Sequence, residues 1–215
     1  IGDGTIGDSE QNFAMLHLDP ARPRNSRTHG LDEMAPKLPE IFEAWKDKLN
    51  HGERGPAILL DLSPRLDDNQ RLEVEEIVES FWPEIGKTWV WTSRGRVRVD
   101  RLSLWIGQLS TPGISRRFVR IPPDIKEKPL VIEGDIEEIS EHRRPPRKGE
   151  HVSILDAALV ESGLALHFLR DLLPGQEITW SIIEGRRPQI HHPEPISFEN
   201  KQERMLVQAT GRIVK

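Results

Sequence analysis

The segment Thr88-Trp-Val-Trp-Thr-Ser-Arg-Gly-Arg-Val-Arg-Val-Asp-Arg-Leu-Ser-Leu-Trp105 constrains this chain more than any other, because its alternation specifies a β-hairpin and sorts its side chains onto two faces. Successive strand residues point to opposite sides, so the register of the two arms decides what each face carries. A three-residue loop at Ser93-Arg94-Gly95 sets Trp91 opposite Val97 and Trp89 opposite Val99, with Gly95 in the left-handed position such loops require. A two-residue loop at Arg94-Gly95 would pair Trp91 with Arg98 and Trp89 with Asp100, mixing charge into the apolar face. The three-residue loop is therefore the expected one. It gives a Trp and Val face for a core and a second face of Thr88, Val90, Thr92, Arg96 and Arg98.

Charge is concentrated around this hairpin. Arg94, Arg96, Arg98, Arg101, Arg116, Arg117 and Arg120 stand against one acid, Asp100, in a chain whose net charge is -5. Just downstream, Asp124 to Glu141 holds seven acids against Lys126 and Lys128. Such blocks either neutralise one another or form a contact surface. As a surface, the seven arginines suit a protein partner with an acidic face. Nucleic acid is the alternative partner, but it calls for aromatic groups on the basic face, and the expected register turns the tryptophans away from it.

The chain has 215 residues, enough for two modest domains with their own cores. It has no apolar run long enough to cross a bilayer, so no membrane association is expected. With no cysteine, disulfides, thiol nucleophiles and cysteine-held metals are excluded, which suits a cytoplasmic setting. Six tryptophans accompany no tyrosine, which removes phenol chemistry. The start, Ile1 to Ser9, is polar and glycine-rich and reads as a linker rather than a signal peptide. Residues 19 to 36, with three prolines, continue as an extended or loop segment, unless Phe13 to Leu18 pairs as a strand.

From Leu38 the pattern becomes helical, with Leu38, Ile41, Phe42, Trp45 and Leu49 on one face and Asn50-His51-Gly52 as a stop. Ala57 to Leu62 is a short apolar run suited to a buried strand. Asp67 or Asp68 caps a second helix with apolar positions Leu72, Ile77, Val78 and Phe81, ended by Pro83. Beyond the hairpin, Arg117 to Ile121, Leu130 to Ile132, Asp135 to Ile139, Gln176 to Ile183 and Arg204 to Val214 read as strands. Val152 to Leu173 fits either a helix or a hairpin turning at Ser162-Gly163, and the alternation of Leu164, Leu166 and Phe168 favours the hairpin. The expected class is α+β: a linker or extended segment over 1–36, an α/β unit with a small helix-covered sheet over 37–112, and a mostly β half, sandwich or barrel, over 113–215.

Three places carry residues with chemical potential. Asp61-Leu62-Ser63 ends the buried strand with two oxygen donors of the kind hard cations prefer. It resembles the opening of the metal-ion site of von Willebrand type A domains. Where that family has a further serine two places on, this chain has Arg65, with Pro64 between. The second place is His191-His192-Pro193-Glu194, whose neighbouring imidazoles point opposite ways on an extended chain, with His151 and His167 as further nitrogens if the fold brings them near. The third, the acid-rich helix Glu73 to Glu79, reads as a solvated face. No serine elbow, phosphate loop or dinucleotide fingerprint occurs, and no cofactor is implied. The sequence therefore favours a non-catalytic interaction module or complex subunit that uses the arginine-bearing side of the hairpin. A metal-dependent hydrolase using Asp61 with His191 or His192, and a nucleic-acid-binding protein, are the alternatives.

Overall fold

A computed structural model of the chain describes residues 11–21, 30–95, 98–182 and 187–215. The linker reading of the first residues, most of the proline-rich loop and the expected places of Arg96, Val97 and Ile183 lie outside the described residues. Among the described residues, five α-helices and two mixed sheets, of six and five strands, make an α+β fold with a strand-rich C-terminal half. No described helix is long and apolar enough to cross a membrane. The chain divides into two compact units, residues 1–90 with 101–115, and residues 91–100 with 116–215.

The first unit contains β1 (Leu16–Leu18), α1 (Leu38–Trp45), β2 (Ala57–Leu62), α2 (Asp68–Phe81), the first part of β3 (Lys87–Ser93) and β4 (Arg101–Gly107). β1 runs parallel to β2, and β2 antiparallel to β4, with Leu60 opposite Leu104 and Asp61 opposite Ser103. That register collects Ile58, Leu60, Leu62, Leu102, Leu104 and Ile106, all buried, on one face of the sheet. α1 has Pro39 in its first turn, where the missing N–H costs nothing, and buries Leu38, Ile41 and Phe42. Phe42 packs edge-on against Phe81 and Trp82 with ring centroids 5.5 and 5.1 Å apart.

α2 opens with a reciprocal cap: the Asp67 carboxylate accepts from the Gln70 N–H at 2.9 Å and the Gln70 side chain accepts from the Asp67 N–H. Its buried stripe is Arg71, Val74 and Val78, whereas Leu72, expected on the apolar face, is 56 % exposed. Positions 71, 74 and 78 share one side of the helix by their spacing of three and four, and Leu72 lies a quarter turn away from it. Arg71 occupies a core position because its guanidinium donates to the Leu66 carbonyl and pairs with Asp68.

The hairpin forms, but with a wider connection than its alternation suggests. β3 ends at Ser93 and β4 begins at Arg101. Gly95 has the expected left-handed backbone, φ 82°. The Asp100 N–H, however, donates to the Thr92 carbonyl at 3.0 Å, so the arms close at Thr92 and Asp100 rather than at Thr92 and Arg96. Two side chains hold the wider loop: Ser93 Oγ accepts from the Gly95 N–H, and the Asp100 carboxylate from the Arg94 N–H. β3 is covered on both sides, with Trp89, Val90 and Trp91 all buried. The Thr88 and Val90 face is therefore interior, and not the arginine surface that alternation alone would assign to it.

The second unit contains the end of β3, β5 (Arg116–Arg120), β6 (Leu130–Gly134), β7 (Glu141–His142), β8 (His151–Leu155), α3 (Ala157–Glu161), α4 (Ala165–Leu172), β9 (Thr179–Ser181), β10 (Gln189–His192), α5 (Lys201–Leu206) and β11 (Val207–Arg212). β5 and β6 are antiparallel, with Phe118 opposite Ile132. The five-stranded sheet has the order β11-β8-β10-β9-β7, so β10 is its central strand.

Three stretches differ from the strand reading: 157–172 is helical, 135–139 has no regular structure, and 201–206 is a helix that runs into β11. The hairpin expected at Ser162-Gly163 gives way to helices because Asp156 caps α3 by accepting from the Ala158 N–H at 2.9 Å. Ala165, Phe168, Leu169 and Leu172 then bury at helical spacing, a pattern that overlaps the alternation in the same residues. α5 is capped in the same way, Asn200 accepting from the Glu203 N–H at 2.9 Å.

Candidate functional site

The arginines are put to different uses. Arg116 lies over the Trp91 ring, 5.1 Å from its centroid, and donates to the Ser162 carbonyl at 2.9 Å. Arg117 pairs with Glu133 on the neighbouring strand, in the facing position of the β5–β6 register. Arg120 is buried, with one guanidinium nitrogen 3.3 Å from Ser93 Oγ. Ser93 in turn donates to Asp156 at 2.5 Å. The guanidinium of Arg120 lies so close under Gly95 that an added Cβ there would meet it at 2.0 Å. Arg101 pairs with Asp61 at 2.8 Å. The remaining described pair, Arg94 and Arg98, is exposed in the 94–100 connection.

Asp61 sits in the first unit at the meeting of three strands. The register places Ser103 opposite it, Arg101 two residues along the same face of β4, and His17 diagonally across on β1. All three use that placement: Ser103 Oγ donates to one carboxylate oxygen at 2.6 Å, while His17 Nε2 at 3.0 Å and Arg101 at 2.8 Å share the other. Burial pushes the Asp61 carboxyl up, but the hydrogen bonds from Ser103 and His17 and the charge of Arg101 outweigh it and hold the group below its ordinary value. Ser63, the other half of the proposed cation site, is buried and accepts from the Arg65 N–H at 3.2 Å, closing the turn that follows β2. Among the described residues, no group of three or more His, Asp or Glu side chains is placed to hold a metal ion.

In the second unit, β10 distributes its two histidines to opposite faces, as strand geometry requires. His191 lies against His142 of β7, ring centroids 4.8 Å apart, and His192 stacks on His151, its register partner on β8, at 5.7 Å. Both β10 rings are buried. His167 belongs elsewhere, bonded to the Asp135 carbonyl at 2.9 Å and paired with Glu137. On the His191 face, Arg144 grips Glu150 through two nitrogens at 2.8 and 2.6 Å, and the Arg147 N–H donates to the same carboxylate at 2.5 Å. The Arg144 hydrogen bonds lower the Glu150 carboxyl to about 2. His191 Nδ1 is 3.7 Å from Glu150, and neither ring nitrogen of His191 has a hydrogen-bond partner among the described residues. Burial first, and then the neighbouring His142, push its imidazole below the ordinary histidine value.

On the other face, His192 Nδ1 bonds the Glu194 carbonyl at 2.5 Å, and its Nε2 faces Ser153 Oγ at 2.9 Å. Ser153 also hydrogen-bonds Thr210 Oγ1 at 2.8 Å. A hydroxyl on an imidazole that is oriented by a carbonyl is the arrangement of an activated nucleophile. Ser153 is 0 % and His192 2 % exposed, so no acyl group reaches the hydroxyl, and the chain of hydrogen bonds links β11, β8 and β10 instead. Burial also lowers the His192 imidazole.

Strand alternation gives the divergence of His191 and His192 in advance. Their partners His142 and His151, and the convergence of His17, Arg101 and Ser103 on Asp61, come from pairings between distant strands and have no local signal. Comparison with protein-family models, with curated proteins and with solved structures gives no match.

Proposed function

We propose that the chain is a non-catalytic interaction module whose 94–100 connection contacts an acidic surface on a protein partner. The observation that carries this reading is the contrast between two sets of arginines. Arg116, Arg117 and Arg120 engage groups within the fold and Arg101, though exposed, is paired with buried Asp61, whereas Arg94 and Arg98 are exposed cations of the connection. Rim cations of this kind steer association and select a partner by charge. Arg120 supports the loop from below: it reaches Ser93 beneath Gly95, and Ser93 is tied to Asp156.

The test is affinity capture with the full chain as bait, comparing the wild type with Arg94→Glu/Arg98→Glu at matched melting temperature. A discrete co-purifying protein that is lost with the double variant supports the reading. A partner retained at wild-type yield refutes it. Retention on single-stranded DNA that the double variant abolishes, with no protein captured, would favour the nucleic-acid alternative.

A further inference from the structure

We infer that the two histidines of β10 make the five-stranded sheet an acid-sensitive element, whose strand pairing is held at neutral pH and weakens as pH falls below about 6.5. The geometry carries the argument. β10 is the central strand, so its loss unpairs β8 and β9 together. Each face of β10 buries one imidazole against a second imidazole, so a proton taken up on either face places charge against a neighbouring ring in a buried setting.

On the His191 face, the titratable and charged groups are His142 from β7, Arg144 and Glu150, with Thr179 of β9 in the facing register position. Among the described residues Glu150 is the acid near His191, and its charge favours the protonated ring, but it stands 3.7 Å away and is already bonded by Arg144 and the Arg147 N–H. A protonated His191 therefore brings a second cation to a carboxylate that Arg144 already pairs, and neither of its two N–H groups has a hydrogen-bond acceptor in place among the described residues. On the His192 face, the titratable neighbour is His151 of β8, and the polar ones are Ser153, Thr210 and the Glu194 carbonyl. No carboxylate is among these neighbours to balance the charge. The Ser153 hydroxyl can turn to accept from a protonated Nε2, so the cost on this side is the buried charge and not a lost hydrogen bond.

Both imidazoles are held below the ordinary histidine value, so the unfolded chain takes up protons more readily than the folded one as pH falls. Stability is thus full above about pH 6.5 and declines below it, by up to about tenfold in the opening equilibrium per pH unit for each histidine kept neutral.

The test is hydrogen exchange of the full chain at pH 7.5 and 5.5, corrected for intrinsic exchange. Wild-type protection in β8 and β10 should fall at least about tenfold, and in His191→Leu/His192→Gln by less than about twofold. Unchanged wild-type protection, or an equal fall in the variant, overturns the inference. Ring NMR titration of the unaltered chain gives a second route that needs no variant. Two rings that resist protonation until β10 amides lose protection support it, and rings that all titrate near the ordinary value while β10 stays protected overturn it.

Discussion

Asp61 in the first unit and His191 in the second are both buried polar groups on a sheet, and the sequence of each strand puts them there. They differ in what meets them. Asp61 is charged and its two oxygens receive a hydroxyl, an imidazole and a guanidinium. His191 meets a second imidazole and a carboxylate already committed to Arg144. A buried group whose charged form is fully partnered stabilises a fold when ionised, and one without partners is tolerated only while neutral. The two sheets therefore answer to acid at different points. Asp61 has a lowered carboxyl, so its contribution is present above the ordinary carboxylate range and lost as pH falls through its folded value. The β10 histidines lose theirs earlier, as pH falls below about 6.5.

The largest effect expected from breaking this contrast is that of Asp61→Ala, which leaves the buried Ser103 hydroxyl without its acceptor and separates β1 from β4 at that point. It should cost about 3 kcal/mol in urea unfolding at pH 7, followed by tryptophan fluorescence. Ser153→Ala removes the hydroxyl shared by His192 and Thr210, and a loss of about 2 kcal/mol is expected because His192 Nε2 is left buried and unpaired. His191→Leu takes away a ring whose nitrogens have no hydrogen-bond partner among the described residues, so stability at pH 7.5 should change by less than about 1 kcal/mol. At pH 5.5 the same variant should be more stable than the wild type, and a large loss at pH 7.5 would reveal a partner for the ring. Smallest of all, Arg94→Glu/Arg98→Glu should alter the melting midpoint by no more than about 0.5 kcal/mol allows, as for exposed substitutions generally, while Arg120→Ala, buried under the loop, should exceed it clearly.

Local pattern determines some of these elements and leaves others open. α1 and β2 are legible in the sequence because a single periodicity fills each of them: Leu38, Ile41 and Phe42 at helical spacing, and Ala57 to Leu62 as an unbroken apolar run. Residues 157–172 are not, since Leu164, Leu166 and Phe168 satisfy a strand pattern while Ala165, Phe168, Leu169 and Leu172 satisfy a helical one. The capping of Asp156 decides between them. The Trp-rich arm reads correctly as a strand, but the carboxylate of Asp100, which fixes the wide connection by bonding the Arg94 N–H, has no signature in the alternation. The site is legible only in part. That His191 and His192 face opposite ways follows from the strand, and that Asp61 ends a buried strand follows from its neighbours. Which groups they meet depends on strands that pair across dozens of residues, as Asp61 does with Ser103, 42 positions away.

The most direct test of the contrast is a single hydrogen-exchange series on the full chain from pH 8 to pH 3, following the amides of β2 and β10 in the same samples and correcting for intrinsic rates. Protection in β10 should fall first, below about pH 6.5, while β2 keeps its protection down to the carboxylate range near pH 4. Loss of both strands at one common pH, or loss of β2 before β10, would contradict the account.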